Sequence, residues 1–277
     1  MVNQPPARRV RALMPTLAAL VPVLLLAATP RAELDTYVDA LKTCDGLADR
    51  GCLLAATRLK AEADDVVLPR LGAALPAMNR PGQLVALSVI DGSTAKAATE
   101  LLAAAATDAR LDPATRALAV DDLGDRTFPK LVDVLLAARR DADPMVRVAA
   151  TRALANRLYR GDKRILGALR DAAADESAAV RVEAIFGLAF SHDPAVALDL
   201  LRALEDAEPG VRRAAAEGLA VVKHQAAPRR LVAHLRDDDA MLVRAVMRAL
   251  RFQTNAYLDD DPAAWERWWE AQRVKGH

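Results

Sequence analysis

Acidic and basic side chains recur at a fixed spacing in the second half of the chain, and clustered charges of this kind can bind an anion. Three aspartates are each followed six residues later by an arginine, in the pairs Asp141/Arg147, Asp175/Arg181 and Asp206/Arg212. The alternative is structural, because each arginine can satisfy loop carbonyls and an acid of the next segment. One pair per segment at a fixed register favours this alternative. We therefore interpret the pairs as a structural ladder.

The other residues capable of catalysis or metal binding form no recognisable motif. None of the histidines lies at metal-ligand spacing from another histidine, a cysteine or a carboxylate pair. They are His192, His224, His234 and His277. The acidic triplets at 237–239 and 259–261 are interpreted as helix caps rather than as calcium ligands. With no phosphate loop or nucleophile elbow either, we predict no catalytic residue, no cofactor and no metal, and hence a protein that is not an enzyme.

The charged pairs belong to a repeat of about 31 residues. The steps from Asp175 to Asp206 and on to Asp237 are 31 residues each, and the step from Asp141 to Asp175 is 34. A leucine occupies the same position in each segment, at Leu154, Leu188, Leu219 and Leu250. A fixed period of this size is typical of a stacked repeat protein rather than of a single globular core.

Almost every segment after residue 33 has the boundaries and composition of a helix. Hydrophobic residues make up 53% of the chain and aromatic residues only 4%, which suits close-packed helices better than a β-sandwich. We predict a leading helix near 34–44 and then seven helical hairpins. Their first helices are expected near 51–63, 81–91, 113–124, 144–157, 178–190, 209–222 and 240–253, and their second helices near 66–78, 94–107, 128–140, 163–174, 194–205, 226–236 and 262–273.

The phrase D-x-x-P-x-V-R-x-x-A-x-x-A-L resembles a HEAT repeat of the short bacterial type also called PBS-lyase HEAT-like. The match is strong over about residues 110–250 and weak over 50–110. It implies an all-α, right-handed α-solenoid of about seven HEAT-like hairpins, with the Asp/Arg pairs forming a ladder between neighbouring units. Two units depart from the pattern, because Arg110 replaces the aspartate before Arg116 and Val243 replaces the arginine after Asp237.

The resemblance also bears on activity. One HEAT-like family, the iron-dependent hydroxylases of deoxyhypusine, uses repeated His-Glu pairs, and this chain contains no His-Glu dipeptide. That activity is therefore not implied. Other HEAT-like relatives are chromophore lyases, so an accessory subunit of an enzyme or a lyase-like protein is the alternative function, although a fold does not specify a function.

The second helices are predicted to line one concave face of the solenoid. Side chains of both charges point away from their apolar stripe, which favours a protein or peptide partner. These residues are Lys130, Asp133, Lys163, Arg164, Asp199, Arg202, Arg229, Arg230 and His234. We predict a non-enzymatic interaction scaffold whose partner binds on this face.

All three tryptophans lie in the last predicted helix, at Trp265, Trp268 and Trp269. The spacing i, i+3 and i+4 places them on one face of that helix. An exposed aromatic face would be a partner site, whereas a buried one would cover the last repeat. We favour the second interpretation and predict a Trp-rich C-terminal capping helix.

The first 32 residues have the order of a secretory signal peptide. Arg8, Arg9 and Arg11 precede an apolar run from Ala12 to Ala28, and small residues follow. The alternative is an uncleaved anchor helix, although the run is shorter than the roughly 20 residues of a full membrane span. We predict an exported protein of the periplasm or another extracytoplasmic location, in contact with a membrane only through this segment if it is uncleaved.

Removal of residues 1–32 changes the formal net charge from +1 to −3, because the segment contains four arginines and no acid. Broad nucleic-acid binding needs a positive surface, so we predict no nucleic-acid partner. The rest of the chain is divided into divergent N-terminal helical repeats at 33–110, HEAT-like repeats at 111–254 and a capping helix with its tail at 255–277.

The two cysteines, Cys44 and Cys52, lie in the part of the chain predicted to be exported. Their spacing would join the end of one helix to the start of the next, and an oxidising compartment favours a disulfide. The alternative is a pair of small buried thiols at a helix contact. We predict the disulfide.

Overall fold

A leading helix, α1 (Arg31–Ala40), precedes seven helical hairpins in the computed structural model, which describes residues 31–191 and 193–274. The hairpins pair α2 (Arg50–Lys60) with α3 (Asp64–Ala74), α4 (Arg80–Asp91) with α5 (Lys96–Ala105), α6 (Pro113–Gly124) with α7 (Leu131–Ala138), α8 (Pro144–Ala155) with α9 (Lys163–Ala172), α10 (Ala178–Ala189) with α11 (Ala197–Ala203), α12 (Pro209–Leu219) with α13 (Ala227–Val232), and α14 (Ala240–Thr254) with α15 (Pro262–Val274). The predicted α-solenoid is confirmed. The predicted signal segment lies almost entirely outside the described residues.

Aspartate and proline together set the starts of several first helices. Asp143 Oδ1 accepts a 2.8 Å hydrogen bond from the N–H of Met145, and Pro144 occupies the first position of α8. A proline is tolerated there because its missing N–H would have no partner within the helix. Asp112 and Pro113 act in the same way at α6. Aspartate and proline therefore determine where α6 and α8 begin.

The first helices of successive repeats pack directly against one another, from α6 through α8, α10 and α12 to α14. The repeat leucines are fully buried between the two helical layers, at Leu154, Leu188, Leu219 and Leu250. The close approach requires small residues, since a Cβ added to Gly187 would lie 2.6 Å from the Cβ of Ala155. The main hydrophobic core lies between the first helices on one side and the second helices on the other, and Ala172, Val180 and Ala184 form a small separate cluster.

The divergent N-terminal repeats are stabilised by a disulfide and by the hydrogen bonds of a buried amide. Cys44 and Cys52 form a disulfide with a Cα–Cα distance of 5.9 Å, which connects the segment after α1 to α2. Farther along, Gln83 of α4 accepts hydrogen bonds through Oε1 from the N–H of Asp112 at 3.1 Å and the hydroxyl of Thr115 at 2.9 Å. A neutral amide thus links α4 to α6.

The solenoid has two edges, because the first helices all run in the same direction. The ladder edge consists of the loops between hairpins, where the repeat aspartates lie. The turn edge consists of the turns within hairpins, from the end of each first helix to the start of its second helix. Equivalent residues of successive repeats line up along these edges at about the 8–10 Å spacing of packed helices.

Helix α15 covers the last repeat, in contact with α13 and α14. Trp265 is fully buried, and the ring of Trp268 meets it edge-to-face at a centroid distance of 5.8 Å, a geometry that aromatic pairs favour. Trp268 and Trp269 are only partly buried. Trp265 therefore fills the core beneath α15, while the other two indoles reach the surface.

Candidate functional site

Each ladder arginine reaches forward to the aspartate of the next repeat, and not to the side chain of the aspartate six residues before it. Arg147 donates from Nε and Nη2 to the carboxylate of Asp175 at 2.9 and 3.0 Å. Its Nη1 donates to the backbone carbonyls of Asp141 and Ala142 in its own loop. The four rungs are Arg116–Asp141, Arg147–Asp175, Arg181–Asp206 and Arg212–Asp237.

This forward pairing explains why the two departures from the repeat pattern do not interrupt the ladder. Arg116 binds Asp141 of the following repeat, so the replacement of an aspartate by Arg110 does not affect that rung. Asp237 accepts from Arg212 of the preceding repeat, so Val243 does not affect the last one. The last rung is the longest, with Nη2 to carboxylate distances of 3.2 and 3.5 Å.

The charged side chains of the ladder neutralise one another in ion pairs. Burial acts to raise the pKa of Asp175, but hydrogen bonds from Arg147 and from the N–H of Ser177 outweigh it and hold the pKa below its ordinary value. The same balance lowers the pKa of Asp141 and Asp206. These pairs are therefore built to stabilise ionised partners within the protein, and they present no free cationic site to an external anion.

Four of the nine predicted partner-binding residues form ion pairs with a neighbouring second helix or the segment that follows it. Arg164 Nη1 lies 2.6 Å from Asp133, and Asp199 lies 2.9 Å from Arg170 Nε. Arg230 contacts Glu205 at 3.2 Å. Exposed pairs of this kind contribute little stability individually. These pairs connect α7 to α9, α9 to α11, and the end of α11 to α13. As a result, fewer charged side chains on this face are free to bind a partner than the sequence predicts.

The remaining predicted partner-binding residues divide into exposed and buried ones. Lys130, Lys163 and Arg229 are exposed and make no ion pair within the described part of the chain. Arg202 is also exposed and lies 3.5 Å from Asp199. The side chain of His234 is mostly buried, at 14% exposure, between Glu205 and Asp237. It occupies the inward position that alanine holds in the preceding three repeats, and so it does not lie on the open face.

A second ladder, which the sequence analysis missed, lies at the turn edge. Side chains three residues after the repeat leucine reach back to backbone carbonyls of the preceding turn. Arg126 donates to the carbonyls of Asp91 and Ser93, Arg157 to those of Gly124 and Arg126, and Gln253 to those of Leu219 and Val222. The sequence does contain the pattern, a long side chain with hydrogen-bond donors three residues after the repeat leucine. Two repeats interrupt it, because they have Ser191 and Val222 at this position.

An apolar row also lies along the turn edge and was likewise missed. Phe190, Val221 and Phe252 each follow the repeat leucine by two residues, and they are 60%, 53% and 38% exposed. Because α10, α12 and α14 pack consecutively, these three side chains occupy equivalent places in adjacent repeats. We call them the apolar row. None of the three belongs to the hydrophobic core or to the side chains packed against it.

A cavity of ≈ 530 Å³ opens on the turn edge beside the apolar row, between the turn after α12, the end of α14 and α15. We call it the Trp cavity, because Trp268 and Trp269 form part of its wall. Basic and amide side chains form most of the rest of the wall, together with Pro228 and Thr254, and no carboxylate contributes. Its polar members include Lys223, His224, Gln225 and Gln272.

Within residues 31–191 and 193–274, no group of three or more His, Cys, Asp or Glu side chains is arranged to hold a metal ion. The same part of the chain contains no helix with the length and apolar character needed to span a membrane. The candidate functional surface consists of the apolar row, the Trp cavity and the exposed cations of the second helices.

Comparisons with known proteins agree with the repeat architecture. Residues 165–251 match the family of HEAT repeats. No curated protein sequence matches the chain. Among solved structures, YibA of E. coli is 20% identical with a TM-score of 0.55, over 79% of this chain and 86% of that one. Human deoxyhypusine hydroxylase in complex with glycerol is 17% identical with a TM-score of 0.38, over 82% of this chain and 97% of that one.

Proposed function

We propose that this HEAT-repeat protein is a non-enzymatic scaffold of the cell envelope that binds a protein or peptide partner along its solenoid. The observation that carries the proposal is the apolar row of Phe190, Val221 and Phe252. Single exposed apolar residues are ordinary, whereas exposed apolar residues that are aligned on a surface are typical of interaction sites. The fold supports this role by presenting one such residue in each of the last three repeats.

The chemistry of the surrounding surface supports a polypeptide partner. Covering each exposed large side chain is worth on the order of 1 kcal/mol or more, since full burial contributes about 1.5–3 kcal/mol. The exposed cations Lys130, Lys163 and Arg229 lie within three residues of the starts of their second helices, which places them near the same edge. A chain with apolar side chains and some acidic groups would complement this surface.

The partner surface proposed here differs in emphasis from the charged second-helix face predicted from the sequence. Asp133, Arg164, Asp199 and Arg230 already hold neighbouring helices together. A partner that engaged them would have to replace existing ion pairs. The apolar row has no such competing contacts, and we therefore assign it the main role, with the unpaired cations at its flank.

Photo-crosslinking in the native cell tests this function. A photoreactive amino acid at Phe190 is expected to capture a partner, which is then identified by mass spectrometry. The matched control is Met145, which is 53% exposed but lies on the ladder edge. Capture of one defined protein from position 190 and not from 145 supports the proposal. Equal capture at both positions, or at neither, would overturn it.

The envelope location rests on residues 1–32. A fusion of residues 1–40 to a reporter that is active only outside the cytoplasm is expected to give signal. Mass spectrometry of the mature protein is expected to find an N-terminus near Glu33. A chain that begins at Met1 and remains in the cytoplasm would contradict the proposed export.

A further inference from the structure

The Trp cavity continues the turn edge beyond the apolar row. Lys223 and His224 follow Val221 of the row by two and three residues. Lys223 Nζ lies 5.8 Å above the ring of Phe252, so the row and the cavity share a boundary. A polypeptide that lies along the row would therefore reach the cavity with its next few residues.

The cavity wall has an excess of hydrogen-bond donors and no negative charge. Besides its contact with the Phe252 ring, Lys223 Nζ donates one hydrogen bond, to Asn255 Oδ1 at 3.4 Å, which leaves two ammonium protons for a ligand. His224 Nδ1 accepts the N–H of Ala226 at 3.2 Å, so the neutral ring carries its proton on Nε2 and donates there. Gln225 and Gln272 make no side-chain hydrogen bond within the described residues.

The apolar part of the wall is provided by the two indoles that the cap does not bury. Trp265 alone is fully buried beneath α15, whereas Trp268 and Trp269 present surface to the cavity. Indole faces bind apolar groups and keep a polar edge for hydrogen bonding. A volume of ≈ 530 Å³ is enough for one or two amino-acid residues and lies within the range of ligand sites.

We propose that the Trp cavity binds the free carboxyl terminus of the partner chain, with the terminal carboxylate at Lys223 and His224 and an apolar last side chain against Trp268 and Trp269. Charge complementarity selects the carboxylate, because the wall has basic and amide groups and no acid. Continuity with the apolar row selects a polypeptide end rather than a small molecule. This inference rests on the proposed scaffold function and specifies the end of the partner that is recognised.

NMR on the ¹⁵N-labelled protein tests the inference, because the chain has only three tryptophans. The probes are the peptide acetyl-Ala-Ala-Leu with a free carboxyl terminus, the same peptide as its amide, and N-acetyl-leucine. The free acid is expected to shift the indole N–H signals of Trp268 and Trp269 in a saturable way. The signal of Trp265, which is buried but contacts Trp268, should shift less than those of the two cavity indoles.

Two comparisons decide the outcome. The amide is expected to bind at least about tenfold more weakly, since it lacks the charge-assisted contact. Lys223→Gln should weaken the free acid by a similar factor, whereas Lys96→Gln, at a lysine exposed on α5, should leave it unchanged. Equal binding of acid and amide, shifts of equal size in all three indole signals, or no shift at all would each overturn the inference. So would N-acetyl-leucine binding as tightly as the peptide.

Failure of this inference can be told apart from failure of the scaffold function. Crosslinking at Phe190 involves no residue of the cavity wall. If position 190 captures its partner while no probe reaches the cavity, the scaffold function stands and the carboxyl-terminal site does not. If position 190 captures nothing, the scaffold function fails whatever the probes do.

Discussion

Arg147 and Asp175 lie 28 residues apart in the chain and join two neighbouring repeats through a pair of hydrogen bonds of 2.9 and 3.0 Å. Both side chains are largely buried, at 8% and 12% exposure. A two-bonded contact between guanidinium and carboxylate fixes orientation as well as distance. Rungs of this type therefore set how one repeat is placed on the next, which in turn keeps the apolar row aligned.

Removal of one rung should loosen a single junction. Asp175→Ala leaves the buried guanidinium of Arg147 without its main partner, and breaking a buried pair from one side typically costs about 3–5 kcal/mol. Chemical denaturation should show a loss of that order. Hydrogen exchange should quicken first at the contact between α8 and α10, since repeat arrays couple mainly to their neighbours.

Glu176→Ala is the matched control for this rung. Glu176 also contacts Arg147, at 2.8 Å, but its side chain is 84% exposed. An exposed pair is expected to contribute less than about 1 kcal/mol. If the two variants lost equal stability, burial of the rung would not be the source of its contribution.

Acid should destabilise the array through the ladder aspartates. The pKa values of Asp141, Asp175 and Asp206 are lowered in the folded protein, so the unfolded chain binds more protons between the folded and unfolded values. Their contribution is complete above the unfolded pKa and is lost as pH falls towards the folded one. The free energy of unfolding should be level above about pH 5 and fall below about pH 4. In Asp175→Ala the slope in this window should be smaller, and an unchanged slope would contradict the assignment.

Reduction of the disulfide should weaken the N-terminal repeats without unfolding the array. Cys44 and Cys52 are separated by eight residues, and closing so short a loop contributes about 2–3 kcal/mol in the chain-entropy model. The purified protein should show no free thiol, and reduction should lower its melting temperature. Two reactive thiols in unreduced native protein would argue against the bond.

Truncation of Trp265 should release the C-terminal cap. This side chain is fully buried, and removal of a buried tryptophan side chain typically costs about 3–5 kcal/mol. Hydrogen exchange in Trp265→Ala should quicken mainly after about residue 226, where α13 and α14 meet α15. Trp269→Ala is the comparison, because Trp269 is only partly buried and its loss should affect stability less. Uniform destabilisation of all repeats would contradict a cap.

The periodicity was sufficient to predict the repeat fold, because a leucine at a fixed place in each of the last four units, and an Asp/Arg pair in three of them, are features that stacked repeats require. The bounds of α8, expected at 144–157 and observed at Pro144–Ala155, show how far proline and aspartate define a helix start. The forward reach of Arg147 to Asp175 was not visible in the spacing of residues within one unit. A long side chain such as that of Arg147 can reach an aspartate of its own repeat or of the next one. The repeat period alone does not show which of these aspartates it binds.

The apolar row and the second ladder escaped prediction for a related reason. Phe190 lies two residues after a buried leucine, a position that would also suit a core residue. Only the end of α10 at Ala189 turns its side chain out of the core. The role of Gln253 was equally hard to predict, because its side chain binds backbone carbonyls of the preceding turn, which the sequence does not place near it. Side chains at helix ends are set by the local termination of the helix, which sequence patterns define least well.

The affinity of the purified partner for paired variants tests the central claim most directly. The double variant Phe190→Ser with Val221→Ser removes two members of the row, and calorimetry should show binding at least about a hundredfold weaker if each contributes about 1.4 kcal/mol. Met145→Ser with Met241→Ser, which changes equally exposed residues of the ladder edge, should bind like the wild type. Equal affinities for both double variants would show that the turn edge is not the partner surface.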